Sequence, residues 1–112
     1  MKIAFTSQGD HWDSPIDARF GRAANIFVYD DSNENIEVYD NSANVAEAHG
    51  AGTATAKKVY DIHPDALITG NGPGETALKV LNQLKISIYI DAHQMTLRQA
   101  YSAFLTGKLK VM

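Results

Sequence analysis

Arg19 and Arg22 bracket a Phe-Gly pair in the stretch DSPIDARFGR, residues 13–22, and each offers a flat, forked set of donors suited to an anion. Two other stretches, His49-Gly50-Ala51-Gly52-Thr53 and Gly70-Asn71-Gly72-Pro73-Gly74, place glycines where a strand should hand over to a helix. Helix starts leave backbone N–H groups without intrahelical partners at the positive end of the macrodipole, so they favour an anion as well. His11, His49 and His93 have the chemistry of metal ligands.

Each feature also has a plainer reading. The arginines could pair with Asp13 or Asp17, which contributes little at a surface. Glycine allows a tight turn, a loop histidine is most often simply solvated, and Phe20 suits a plug for the core beneath its loop. Neither glycine stretch is a Walker A loop, because no Lys-Ser/Thr pair follows, and neither completes the dinucleotide fingerprint. Thr6 and Ser7 lack an organised His and carboxylate, so they read as the end of a strand rather than as a nucleophile.

Composition narrows the chemistry further. There is no cysteine, which excludes disulfides, thiolate nucleophiles and Cys-ligated zinc or iron–sulfur centres. The net charge is −3, without the clustered lysine and arginine that mark nucleic-acid binding. An anion site must therefore be local. No apolar run approaches the roughly 20 residues that span a bilayer, and MKIAFTSQGD has too short an apolar stretch for a signal peptide. A cytoplasmic protein with no membrane partner is expected. The 112 residues, 45% hydrophobic and 21% charged, fit one domain over 1–112.

The elements that must position these residues follow from periodicity. KIAFT (2–6), NIFVYD (25–30) and IEVYD (36–40) read as strands, the last two joined as an antiparallel hairpin by the turn residues DSNEN. A helix is predicted over 50–62, a buried strand over 65–70, a helix over 72–84 with Pro73 near its first turn, and a strand over 86–90. Thr96 and Gln99 form a capping box for a last helix that Gly107 closes. The class is thus α/β, with three strands, then helix, strand, helix, strand and helix, and a five-stranded mixed sheet carrying helices on its faces.

Strand direction brings the chemistry together. If the first strand points up, the second points down and the third up, and descending helices keep the fourth and fifth pointing up. Loops 7–24, 41–51, 70–74 and 91–95 then open on one edge, the carboxyl ends of the strands, where open α/β sheets bind ligands. His11, His49, His93, Arg19, Arg22 and both glycine stretches fall there, and His63 falls at the other edge.

DSPIDARFGRAANIFVYD, AHGAGTATA, ITGNGPGETALKVL and MTLRQAYSAFLTGKL, in this order and over nearly the whole chain, resemble the dinitrogenase iron-molybdenum cofactor biosynthesis family of the NifX and NifB C-terminal type. The similarity is greatest to its small stand-alone members, some of which hold a molybdenum-copper sulfide cluster. It implies a ribonuclease H-like, three-layer fold with strand order 3-2-1-4-5 and non-enzymatic, noncovalent binding of an anionic metal–sulfur cluster or an iron-molybdenum precursor. The binding residues so implied are Arg19, Phe20, Arg22, His49, Gly50, Gly52, Thr53, Gly70, Asn71, Gly72 and Gly74, with His49, then His11 and His93, as metal contacts.

Two positions depart from the family. Many nitrogenase-associated members carry His before the Phe-Gly pair, where this chain has Arg19, a donor to sulfide rather than a ligand to metal. Asn71 stands where many relatives have an apolar residue. The expected function is a carrier or scaffold, with cluster-delivery or regulatory proteins as further partners. A cofactor-independent partner-binding module is the alternative. A metal-dependent nuclease ranks below both, because KIAFT contains no carboxylate to hold a divalent ion.

Overall fold

The computed structural model describes residues 1–45 and 50–112, with side chains for all of these except Asn44 and Val45. Strands β1 (Lys2–Ser7), β2 (Asn25–Asp30) and β3 (Asn35–Asp40) come first, with a single 3-10 turn, Phe20–Arg22, between the first two. There follow α1 (Ser42–Val45), α2 (Ala51–Ile62), β4 (Ala66–Ile68), α3 (Glu75–Leu81), β5 (Ser87–Ile90), α4 (Leu97–Leu105) and β6 (Lys110–Val111). The sheet order is β3-β2-β1-β4-β5-β6, with β1, β4 and β5 mutually parallel and the other pairings antiparallel.

The expected order 3-2-1-4-5 holds, but the sheet has six strands rather than five. Gly107, at φ 68°, turns the chain after α4, and Lys110 and Val111 then pair with Ile90 and Tyr89. Two residues are too few to show alternation in sequence. The helix expected over 72–84 occupies only Glu75–Leu81, because Gly74 caps it in an extended conformation and the chain leaves the helix through turns at Gln83 and Leu84.

Alternation along the strands divides the core into two layers around the sheet. Ile3, Phe5, Phe27 and Ile68 pack with Leu97, Ala100 and Ala103 of α4. Ala4, Ile26, Val28, Leu67 and Ile88 pack with Val59 and Ile62 of α2 and Leu81 of α3 on the opposite face. Burying a side chain such as Phe27 or Leu81 stabilises the fold by about 1.5–3 kcal/mol. The α4 face is aromatic: Trp12 stands 5.9 Å from Phe5 and 5.1 Å from both Phe27 and Tyr29, edge-on in each case.

The capping box of α4 forms as its sequence predicts, with Thr96 accepting from the Gln99 N–H and the Gln99 side chain accepting from the Thr96 N–H. Helix α2 starts after Gly50, whose φ of 79° few other residues adopt, and ends at His63, whose N–H returns to Val59 and Tyr60. No helix among the described residues is long and apolar enough to cross a membrane. Because β1, β4 and β5 run together, their carboxyl ends share one edge, called the upper edge below.

Candidate functional site

The upper edge is built around the loop joining β1 to β2. Its backbone is fixed on both sides: Asp17 N–H donates to Thr6 O at 2.9 Å, Ile16 N–H to Met95 O at 2.9 Å, and Ser7 bridges to Ile16. Beneath it, the Thr6 hydroxyl lies 2.8 Å from the Thr69 hydroxyl and 3.1 Å from Asp17 O. Leu97 N–H and Arg98 N–H, at the start of α4, donate to Ser14 O and Trp12 O, each at 2.9 Å. Together with the capping box, these bonds use the first-turn N–H groups of α4 internally, so that helix offers no anion site.

Two glycines decide how closely the neighbouring stretches approach this loop. A Cβ on Gly21 would stand 2.8 Å from both Cα and N of Gly52, so the 3-10 turn lies directly on the first turn of α2. A Cβ on Gly70 would stand 2.6 Å from Ala18 Cα and 3.2 Å from His93 Cβ. Asn71 N–H then donates to Ala18 O at 2.7 Å, and Asp91 N–H to Gly70 O at 2.8 Å. The arginine-bearing loop is therefore wedged between the α2 start and the Gly70–Gly74 stretch, which brings three sequence-distant segments together. Ala18 takes part through its backbone alone, and its sequence context carried no sign of that.

The carboxylates of the loop do not serve as partners for Arg19. Asp17, only 6% exposed, accepts the Arg19 backbone N–H at 3.0 Å and so closes a local turn. Asp13 pairs with Arg98 of α4 at 3.1 Å, both side chains well exposed, and the hydrogen bond and charge of Arg98 hold the Asp13 carboxyl below its ordinary value. The reading that these acids pair with the Arg19 side chain is corrected, while Asp17 does hold the loop in shape and Asp13 ties it to α4. Among the described residues, the exposed Arg19 guanidinium has no hydrogen bond or ion pair. Arg22 is half-buried at the end of the 3-10 turn.

The first intrahelical bond of α2 runs from Ala54 N–H to Gly50 O, so the N–H groups of Ala51, Gly52 and Thr53 have no partner within the helix. Gly52 and Thr53 are half-buried beside Gly21. The start of α3 is a weaker donor, since that helix has seven residues and Glu75 in its first turn. Asn71 and Gly74 are exposed and Gly72 half-buried, with a Cβ on Gly72 meeting the Met112 sulfur at 3.1 Å. Nothing in the sequence linked the terminal methionine to this loop.

Phe20 is 4% exposed and packs with Ile26, Val59 and Leu81, so it supports the turn from below. His11 and His93 are exposed on the upper loops, His93 against Gly70, and His49 lies outside the described residues. Among the described residues no three His, Cys, Asp or Glu side chains stand close enough to hold a metal ion. A cleft of about 650 Å³ is lined by Asp10 and Asp40 among others, and its two carboxylates suit it poorly to an anion. The chemistry the arginine loop offers is therefore that of a hydrogen-bond donor rather than a metal ligand.

A family model described as dinitrogenase iron-molybdenum cofactor matches residues 1–107, and the chain belongs to that family. Its structure is similar to that of the apo form of the orange protein from Desulfovibrio gigas, with 34% identity and a TM-score of 0.91 over 99% of this chain and 92% of that one. It is also similar to a Thermotoga protein described as NifB-like, with 28% identity and a TM-score of 0.82 over 98% of this chain and 91% of that one. No curated protein sequence matches the chain.

Proposed function

We propose that this member of the family is a non-enzymatic carrier or scaffold that holds an anionic, molybdenum-containing metal–sulfur cluster, or its precursor, noncovalently at the upper edge. The observation that carries the proposal is Arg19: an exposed guanidinium without a partner among the described residues, on a loop whose backbone is braced from both sides. A cation held this way offers donors to sulfide without first giving up an ion pair.

The donor set fits such a cargo. With no cysteine in the chain, sulfur must arrive with the cluster. Arg19 and Arg22 balance its charge through charge-assisted bonds, which are roughly twice as strong as neutral ones. The α2 start, Gly50 to Thr53, adds backbone N–H groups, while Gly70, Asn71, Gly72 and Gly74 form the facing wall. His49 is the first candidate for direct metal contact, with His11 and His93 as further imidazoles. Copper within a molybdenum-copper sulfide cluster is the metal an imidazole suits best in this cargo class.

The test mixes apo protein with tetrathiomolybdate and a copper salt. A sulfide-to-metal charge-transfer band that elutes with the protein is expected, and absorbance eluting only with free small molecules overturns the cluster reading. Unchanged uptake by an Arg19→Ala, Arg22→Ala double variant overturns the charge assignment.

One observation favours a second reading, a partner-binding or regulatory module without cofactor. Strand β3 is an edge of the sheet, paired there with β2, and Ile36 and Val38 on it are 43% and 39% exposed. Unpaired edges with apolar side chains are templates for another chain. Partner capture in a pull-down that is indifferent to metal supports this reading, and capture that requires the loaded protein supports the carrier. A metal-dependent nuclease gains no support, since β1, Lys2–Ser7, contributes no carboxylate.

A further inference from the structure

Seven asparagines occur in the sequence, and Asn71 is the one followed by glycine. An Asn-Gly pair can react with itself. The glycine amide nitrogen attacks the side-chain carbonyl carbon, a C–N bond forms, and the side-chain nitrogen leaves as ammonia, giving a five-membered succinimide. Water then opens the ring to aspartate or isoaspartate. One water is consumed and one ammonia released, and no oxidant or reductant takes part.

The structure leaves Asn71 open to this reaction and closes the next best candidate. Asn71 is exposed, and its side-chain amide makes no hydrogen bond among the described residues. The Gly72 N–H, the attacking group, donates to no backbone carbonyl among them. The second-ranked pair, Asn41-Ser42, is closed by packing: Asn41 is fully buried, and its amide nitrogen donates to Ala23 O at 2.8 Å and Thr55 Oγ1 at 3.0 Å.

We propose that Asn71-Gly72 is a site of spontaneous, irreversible modification that places a carboxylate on the wall of the anion site. The Asn71 N–H is bonded to Ala18 O, one residue before Arg19, so the new charge arises on the segment that touches the arginine loop. Isoaspartate also inserts an extra carbon into the backbone beside that bond. The modification works against an anionic cargo, and this consequence rests on the function proposed above, whereas the reaction itself does not.

The experiment has two arms with separate readouts. Purified protein is aged in mildly alkaline buffer and its peptides are followed by mass spectrometry. Conversion of amide to acid is expected first in the peptide containing Asn71, and it should be lost in Asn71→Gln and slowed in Gly72→Ala. The added Cβ of the latter variant meets the flexible end of Met112 at 3.1 Å and Ile90 Cγ2 at an ordinary 3.5 Å, so the fold should be retained. Conversion at another asparagine first, or none at Asn71, overturns the site.

In the second arm, Asn71→Asp is compared with wild type for retention of tetrathiomolybdate. Adding a negative charge, of the cargo's own sign, on the wall beside the arginine loop should weaken retention by about two- to fivefold. Equal retention overturns the functional consequence while leaving the site standing. If wild type retains no thiomolybdate, the carrier reading fails, and the first arm still decides the chemistry of Asn71.

Discussion

At the edge of the sheet where β2 turns into β3, the Met1 amino group reaches Asp31 at 2.7 Å, Asp30 closes a turn through Ser32, and the Lys2 ammonium donates to Ile62 O at 3.1 Å. At the opposite edge, the loop around Arg19 has a denser backbone network, yet its guanidinium has no partner among the described residues. The lower edge meets its charges locally, in solvent, where each contact contributes little. The upper edge fixes the backbone and leaves the cation open. In a chain of net charge −3, an arginine kept open in this way makes a local region of positive potential.

The sharpest way to break this contrast is to remove the support of the upper edge. Phe20→Ala should cost about 3–5 kcal/mol, a large share of the roughly 5–15 kcal/mol that stabilises a domain of this size, read as a lower urea midpoint. An unchanged midpoint would mean that the turn does not depend on its buried ring. Gly70→Ala comes next, at about 1–3 kcal/mol with loss of thiomolybdate retention, because its Cβ meets the Ala18 backbone and one or the other must move.

A charge reversal separates local from global electrostatics. Arg19→Glu and Lys85→Glu change the net charge equally, and each should leave stability within about 0.5 kcal/mol. Only Arg19→Glu should abolish cargo retention; equal losses would show that overall charge governs binding and would dissolve the contrast between edges.

The smallest effect is one of pH. Asp13 at the upper edge and Asp30 at the lower are both held below the ordinary carboxylate value, by hydrogen bonds from Arg98 and Ser32 respectively. Groups with lowered values contribute stability that is complete above the ordinary range and lost as pH falls through the lowered values. The melting temperature should therefore show no loss from these groups between neutrality and about pH 4, and a gentle decline below. The Met1 amino group is shifted the other way, raised chiefly by its hydrogen bond to Asp31, so its small contribution is complete below its ordinary value and fades as pH rises through the raised one.

Much of this arrangement was legible in the sequence because it rests on local rules. Apolar, β-branched and aromatic runs gave β1 and β2, alternation gave β3, Thr96 and Gln99 gave the α4 start, and strand parity gathered the arginines and glycine stretches on one edge. Phe20, the lone Phe of DSPIDARFGR, read correctly as a plug. The contacts that turn an edge into a site were not legible. Gly21 and Gly70 are needed for space and Gly50 for its backbone angle, and one letter records both needs. The partner of Asp13 lies 85 residues away, and β6 is too short to carry a pattern. Edge placement also says nothing of side-chain separation, and among the described residues no three potential metal ligands come together.

Trp12 is the one tryptophan of the chain, set among Phe27, Tyr29 and Tyr101 within the same loop that carries Arg19. Its emission therefore comes from a single, known place. A coloured cargo beside that loop would quench it by energy transfer, while loss of the aromatic nest would shift its wavelength instead. Loading and unfolding thus have distinct optical signatures in the unlabelled protein.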